Sequence, residues 1–171
     1  INFTTITMDL SNRTILITGS TDGIGKVLAI EFSKLGSNII LLGRDSLKLD
    51  KVYDQLEQSF PSQKHLILEA DLSLLNNESA HEIFNAIAGE FTSLDGIIHN
   101  AAILGTMTTL EDYELSRWDE VLNVNLRAPF LLTKTLKTML ESSMLPRIIF
   151  TSSGVANVGR AFWGAYSVSK F

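Results

Sequence analysis

Short apolar runs alternate with longer amphipathic stretches along this chain of 171 residues. The apolar runs have the length of strands and lack polar alternation, which is typical of strands buried on both faces of a parallel sheet. Amphipathic helices between such strands would cover both faces. The pattern therefore predicts a doubly wound α/β fold in which five parallel strands have the order 3-2-1-4-5.

The predicted elements fill the chain without a linker or a repeat, so we expect residues 1–171 to form one domain. The predicted strands are Thr14–Thr18, Asn38–Leu42, His65–Ala70, Gly96–His99 and Pro146–Thr151. The predicted helices are Ile24–Leu35, Ser46–Phe60, Glu78–Phe91, Ser116–Glu141 and a last helix that begins near Gly164.

Composition narrows the classes of partner. Hydrophobic residues make up 45% of the chain, the net charge is −5, and no block of Lys or Arg occurs, which argues against nucleic acid or an anionic membrane as a partner. No apolar run reaches the roughly 18–20 residues that a membrane span needs, and the start has no signal-peptide pattern. The absence of Cys excludes disulfides and thiolate metal sites. We therefore expect a cytoplasmic protein without a metal.

A Gly-rich turn lies between the first predicted strand and the first predicted helix. Its three glycines allow a tight turn, a close backbone approach to a pyrophosphate, and close helix–strand packing. Phosphate would then meet free N–H groups at the helix N-terminus. The simpler interpretation is a loop that needs glycine only for its shape. The candidate dinucleotide contacts in this turn are Gly19, Ser20, Thr21, Asp22, Gly23, Ile24 and Gly25.

A second group of candidate residues lies near the end of the sequence. Tyr166 and Lys170 are four residues apart, so in a helix they lie one turn from each other on the same face. A neighbouring ammonium favours the ionised form of a phenol, and such a phenol can transfer protons. Ser153 lies thirteen residues before Tyr166 and two residues after the end of the fifth predicted strand. Each of these residues alone also fits a packing or surface role.

Five separated motifs follow the order found in the short-chain dehydrogenase/reductase family, which the chain resembles from Asn12 to Lys170. The matching residues are Thr18–Gly25 for T-G-x-x-x-G-I-G, Asp71 with Leu72, His99–Ala102 for N-N-A-G, Asn125, and Ser153 with Tyr166 and Lys170. The runs Leu41–Arg44 and Gly159–Tyr166 look most like its bacterial YciK-type branch. His99 and Ala102 depart from the family's motif.

The resemblance implies a Rossmann-type fold and a role for each matching residue. Tyr166 would be the general acid in carbonyl reduction, Lys170 would assist it and bind cofactor ribose, and Ser153 would polarise the carbonyl. Asp71 with Leu72 would contact the adenine ring, and Asn100 with Ala101 would lie on the nicotinamide side. The resemblance also implies a sixth and a seventh strand and a substrate-closing loop that are absent from this sequence. Without them, the fifth strand would be an exposed apolar edge.

Arg44 favours NADP over NAD as the cofactor. An acidic residue at the end of the second strand selects NAD in this fold, whereas here Gly43 and Arg44 occupy that place, and a guanidinium pairs well with a 2′-phosphate. NAD remains the alternative, because Arg44 also fits a solvated surface charge. Asp22 in the Gly-rich turn and Asp45 beside Arg44 both weaken the argument for NADP.

Asn125 lies four residues before Pro129 in the long predicted helix. Since proline has no N–H, the carbonyl of Asn125 loses its helical partner and the helix is expected to kink. The resemblance implies a proton relay through Asn125, a water molecule, Lys170 and Tyr166. The alternative is a kink that serves only packing.

The long helix is apolar around much of its circumference, which favours a homodimer or a homotetramer. The alternative is a monomer in which Lys134, Lys137 and Glu141 solvate the outer face of the helix. The function expected from these motifs is hydride transfer between NADP(H) and a small-molecule carbonyl or secondary alcohol. The alternative is a catalytically inactive dinucleotide-binding sensor or scaffold. An epimerase or dehydratase is disfavoured by the spacing of the glycines.

Overall fold

A parallel sheet of five strands forms the centre of the computed structural model, which describes residues 9–171. The strand order is β3-β2-β1-β4-β5, so the predicted order 3-2-1-4-5 is confirmed. The strands are β1 (Thr14–Thr18), β2 (Asn38–Gly43), β3 (His65–Glu69), β4 (Gly96–His99) and β5 (Arg147–Phe150). The helices are α1 (Gly23–Lys34), α2 (Ser46–Ser59), α3 (Asn77–Glu90), α4 (Leu115–Leu122), α5 (Ala128–Thr135), α6 (Lys137–Glu141) and α7 (Gly164–Lys170).

Helices cover both faces of the sheet because the central strands carry apolar side chains on both sides. Leu16 and Ile40 point into a core shared with α3, α5 and α6. Ile17 and Ile39 point the opposite way, into a core shared with α1 and α2. All four side chains are fully buried, which explains why these strands appear in the sequence as continuous apolar runs.

The prediction of one helix over residues 116–141 is wrong. The structure begins this region with α4, continues through a π-helical turn (Asn123–Arg127) into α5, and passes Leu136, whose backbone is not helical, before α6. In the π-helical turn the N–H of Ala128 donates to the carbonyl of Asn123, five residues back. Pro129 has no N–H to donate to Asn125, so regular α-helical bonding cannot pass through this point.

The outer strand β5 pairs only with β4 in the part of the chain that the structure describes. Its apolar side chains are partly open to solvent, with Ile149 51% and Phe150 60% exposed. No helix within residues 9–171 is long and apolar enough to span a bilayer.

Candidate active site

The Gly-rich turn packs tightly against the loop that follows β4. Gly19 has a φ of +66°, and a Cβ at this position would lie 2.9 Å from the Cα of Ala101. A Cβ on Gly25 would lie 2.1 Å from the carbonyl oxygen of Gly19. Both positions therefore exclude any side chain, and the backbone of the turn stays accessible from the cleft.

Thr18 ties the two loops together, although the sequence did not single it out as a site residue. Its Oγ1 accepts hydrogen bonds from the backbone N–H groups of Asn100 and Ala101, each at 3.0 Å. Asn100 Nδ2 in turn donates to the carbonyl oxygens of Thr18 and Gly19 at 3.4 Å. A hydroxyl at the end of β1, directly before Gly19, is the sequence signal that identifies this role in retrospect.

A cleft of about 260 Å³ opens at the carboxyl ends of β1 to β4, where ligands bind in sheets of this topology. It brings together seven of the predicted cofactor contacts. Its walls are Gly19, Thr21, Gly43, Arg44, Ala70, Asp71, Leu72, Asn100, Ala101, Ala102, Ile103 and Val124.

The remaining predicted contacts of the turn lie outside the walls of this cleft. Ser20 is fully buried, and its Oγ donates to the carbonyl of Leu42. Ile24 is 62% exposed at the start of α1. Asp22 caps α1 by accepting the N–H of Gly23. Their side chains therefore shape the turn or face solvent.

The two carboxylates near Arg44, those of Asp71 and Asp45, accept hydrogen bonds from residues close in sequence. Asp71 accepts hydrogen bonds from Ser73 Oγ at 2.7 Å and from Ser73 N at 2.9 Å, and these bonds lower the pKa of its carboxyl below the ordinary value. The positive charge of Arg44 lowers that pKa further. Asp45 is occupied as the cap of α2, where it accepts the N–H of Lys48. Among the described residues Asp45 forms no ion pair with Arg44.

Lys48 is a second cation near the Gly-rich turn that sequence reasoning missed. Its Nζ lies 3.3 Å from the carboxylate of Asp22. The N–H of Gly23 and the charge of Lys48 together lower the pKa of Asp22. The ammonium of Lys48 on α2 therefore compensates the negative charge of Asp22 in the turn.

Tyr166 and Lys170 lie one turn apart on α7, with Lys170 Nζ 5.7 Å from the centre of the Tyr166 ring. Lys170 Nζ donates to the carbonyl of Thr151 at 2.8 Å, and burial lowers the pKa of Lys170 below its ordinary value. Thr151 Oγ1 donates to Asn100 Oδ1 at 3.4 Å. The ammonium is thereby connected to a wall of the cleft.

Ser153 caps a short 3₁₀ turn (Gly154–Ala156), and its Oγ accepts the N–H of Val155 at 3.5 Å. No hydrogen bond joins Ser153 to Tyr166 within residues 9–171, although the 3₁₀ turn packs against α7. Ser152, which precedes it, lines a separate cavity of about 480 Å³ beside Lys170. The structure thus brings Ser153 close to α7 without placing its hydroxyl on the phenol.

Asn125 is buried, and its side chain connects the loop at Ile103 with α7 through hydrogen bonds. Its Oδ1 accepts the N–H of Ile103, and its Nδ2 donates to the carbonyl of Ile103 and to Ser169 Oγ, all within 3.0 Å. Ser169 Oγ in turn donates to the carbonyl of Tyr166. The side chain therefore contacts α7 directly, at the residue next to Lys170. Sequence reasoning assigned importance to the carbonyl of Asn125 and missed the contribution of its amide and of Ser169.

His99 replaces the first Asn of the family's motif, and it is only 3% exposed. One ring nitrogen, Nε2, lies 2.9 Å from Thr133 Oγ1, whereas the buried Nδ1 has no partner among the described residues. The ring stacks on Phe150 at 4.8 Å. Burial lowers the pKa of His99 from 6.5 to about 4, so the folded protein holds this ring neutral.

Stability should consequently fall as the pH drops from about 6.5 to about 4, because the unfolded chain binds a proton on His99 before the folded chain does. For this pKa difference we expect a loss of up to about 3 kcal/mol. Urea unfolding at pH 7 and pH 4.5 measures this difference in the free energy of unfolding. Asp71 contributes in the same direction. The comparison with His99→Asn isolates the histidine, and an equal pH slope in both proteins would contradict the prediction.

A family model described as short chain dehydrogenase matches residues 13–171, which is nearly all of this sequence. The chain belongs to the short-chain dehydrogenase family. The predicted family resemblance is therefore confirmed, together with the strand order. The short-chain dehydrogenase fold places the Gly-rich turn, Asp71 and Asn100 around one cleft, as described above.

Relatives of known sequence and structure support the same family. The oxidoreductase YciK of Escherichia coli strain K12 is 37% identical over 162 residues, which cover 95% of this chain and 64% of that protein. A 3-oxoacyl-[acyl-carrier-protein] reductase of Aquifex aeolicus is 29% identical, with 94% of this chain and 63% of that protein covered. The chain thus spans less than two thirds of the length of these two relatives.

Solved structures extend the comparison to ligands. A short chain dehydrogenase from Escherichia coli, complexed with NADPH, superimposes with a TM-score of 0.90 at 38% identity, covering 96% of this chain and 68% of that one. A short chain dehydrogenase from Shigella flexneri, complexed with NADP, gives a TM-score of 0.91 at 36% identity, with 96% and 69% covered.

Proposed function

We propose that this chain is the cofactor-binding and catalytic part of an NADP-dependent oxidoreductase that acts on a carbonyl or a secondary alcohol. One observation carries the proposal. Lys170, one helical turn from Tyr166, is hydrogen-bonded to Thr151, which is bonded to Asn100 in the wall of the cleft. These bonds link Lys170 to the cleft that we propose as the dinucleotide site, and they support Tyr166, one turn away, as the proton donor beside it. The complexes of two similar dehydrogenases with NADPH and NADP support this assignment.

The cleft fits a dinucleotide on the basis of its own residues. Gly19 lines the cleft without a side chain of its own, and no Cβ fits at Gly25. The cofactor, when bound, supplies the hydride. The 2′-phosphate would be held by Arg44, and the adenine would lie against Asp71 and Leu72.

The chain's own residues supply the proton and the orientation of the substrate. The phenol of Tyr166 donates its proton to the carbonyl oxygen in reduction, and it accepts a proton in the reverse direction. The ammonium of Lys170 stabilises the resulting phenolate and binds ribose hydroxyls. The hydroxyl of Ser153 donates a hydrogen bond to the carbonyl oxygen, for which it must leave the N–H of Val155.

Proton supply to this group runs along α7. Asn125 fixes Ser169, and its carbonyl, with no N–H available on Pro129, is the acceptor that we propose for a water molecule between Asn125 and Lys170. Both residues line the same cavity of about 480 Å³, which supports this arrangement.

The oligomer that we propose uses the outward face of α4 and α5. Leu126 is 56% and Phe130 is 63% exposed there, and they form one groove with Asp119 and Arg127. Apolar side chains of this size on an open helical face favour a homodimer.

The activity is tested by titrating the full-length protein with NADPH and NADH, and then by following cofactor oxidation over a panel of aldehydes and ketones. We expect tighter binding of NADPH and turnover of at least one carbonyl class. Binding of NADPH without turnover of any carbonyl would favour the inactive dinucleotide-binding alternative.

The choice between the two cofactors should depend on Arg44. Replacing Arg44 with Ala removes the cation nearest the proposed phosphate position, so we expect the Kd of NADPH to rise about tenfold while the Kd of NADH stays nearly constant. Lys48→Ala should cause a smaller change in the same direction. Lys51→Ala, an exposed cation on the same helix, is the matched control. Equal changes for both cofactors would refute a role in phosphate selection.

A further inference from the structure

The segment between Ser153 and Tyr166 contains a series of side-chain contacts that the proposed function does not use, namely a cation over an indole and an edge-on pair of aromatic rings. The guanidinium of Arg160 lies 5.6 Å from the Trp163 ring. The Trp163 ring lies 5.8 Å from the Tyr166 ring, at an interplanar angle of 60°. The Trp163 ring thus lies between the guanidinium of Arg160 and the phenol of Tyr166, which we assign as the proton donor.

The charge of Arg160 is not neutralised within residues 9–171. Arg13 forms an ion pair with Asp95, and Arg117 forms one with Glu120, whereas Arg160 has no carboxylate within 4 Å and donates no side-chain hydrogen bond there. A guanidinium over the face of an indole is attracted by the ring, and its N–H groups remain able to bind an anion in a bidentate manner. Arg160 is exposed, so a ligand can reach it.

The backbone is strained two residues after Arg160, and large apolar side chains lie two residues away on either side of it. Phe162 has a φ of +70°, which a bulky side chain rarely adopts, and its side chain is 54% exposed. Val158 is 69% exposed on the other side of Arg160. Strain of this kind concentrates at binding and catalytic sites. The segment therefore offers an apolar surface with one unpaired cation.

We propose that Arg160 binds an anionic group of the substrate, a carboxylate or a phosphate, at the far side of Trp163. The reacting carbonyl would lie at Tyr166, and an apolar chain would connect the two groups across the indole. This inference rests on the proposed function and narrows its substrates to oxo acids or oxo phosphates. It makes Arg160 a specificity-determining residue.

The test compares matched substrates in the full-length protein with NADPH: 7-oxooctanoate, its methyl ester, and 6-oxoheptyl phosphate. The parent should prefer the two anions to the ester. In Arg160→Gln the ratio of kcat/KM for acid over ester should fall about 10- to 100-fold, mainly through a higher KM for the acid. Arg160→Lys should restore part of the ratio. A preference for the phosphate over the carboxylate, or the reverse, identifies the anion.

Lys51→Gln removes one exposed charge from α2, on the opposite face of the sheet, and is the control for net charge. An unchanged acid-to-ester ratio in Arg160→Gln would overturn the inference, since a purely structural role would lower both rates alike. Calorimetric binding of 7-oxooctanoate and of its ester to the parent and to Arg160→Gln gives a readout without turnover. If no carbonyl turns over but Arg160 still selects the anion, the proposed function fails and the anion site stands. If neither protein distinguishes acid from ester, the anion site fails.

Discussion

Tyr166→Phe is expected to lower kcat for carbonyl reduction roughly a thousandfold and to leave the Kd of NADPH within about twofold. The substitution removes only the oxygen that carries the transferred proton. The ring remains, with its contacts to Trp163 and to Lys170 Nζ, so α7 should keep its position. Stopped-flow and steady-state oxidation of NADPH measure the rate, and cofactor fluorescence measures binding.

A matched control for this substitution is Tyr53→Phe. Tyr53 packs against the core on the α2 side of the sheet, and burial raises the pKa of its phenol. Removing that hydroxyl should leave kcat unchanged. If Tyr166→Phe reduced carbonyls as fast as the parent, another group would be the acid, and the assignment of the catalytic residues would have to be abandoned.

The second large effect is expected from Gly25→Ala, which should raise the Kd of NADPH about 10- to 100-fold and destabilise the fold by about 1–3 kcal/mol. The added methyl would lie 2.1 Å from the carbonyl oxygen of Gly19 and 2.8 Å from Asn100 Nδ2. Gly19 and Asn100 both line the cofactor cleft. Because the carbonyl of Gly19 is a backbone group, the Gly-rich turn itself must shift to make room for the methyl. Fluorescence titration with NADPH and urea unfolding report the two effects separately.

Gly89→Ala is the control, because nothing lies within 4 Å of the added carbon near the end of α3. Alanine is a better helix former than glycine, so this variant should be as stable as the parent or more stable, by up to about 1 kcal/mol. Unchanged NADPH affinity in Gly25→Ala would show that the tight approach of the two loops is not required for the cofactor.

The strands were predictable from the sequence because a parallel sheet buries both faces of each strand. Every predicted strand agrees with the structure within one residue at each end, from β1 at Thr14–Thr18 to β5 at Arg147–Phe150. The convergence of Arg44, Asp71 and Asn100 on one cleft was predictable for a related reason, since each residue follows a strand and the carboxyl ends of parallel strands share one edge of the sheet.

Contacts that depend on side-chain direction were not predictable. Nothing in the spacing shows that the carboxylate of Asp22 reaches Lys48, which is 26 residues away and on another helix. The amide of Asn125 bonds to Ser169, 44 residues away, and this contact depends on how α7 packs on the π-helical turn. The sequence indicated Asn125 as a candidate through Pro129 but gave no information on the partners of its side chain.

The π-helical turn at Asn123–Arg127 also changes which residues of α4 and α5 lie on the same face. An α-helix closes each hydrogen bond over four residues, whereas this turn closes one over five, so the apolar stripe of α4 is displaced around the axis when it continues in α5. Leu126 and Phe130 consequently project outward, while Val124 and Leu131 project inward. A helical wheel drawn through this region with a constant angle assigns residues to the wrong side, and homologues that lack the inserted residue would present a different surface.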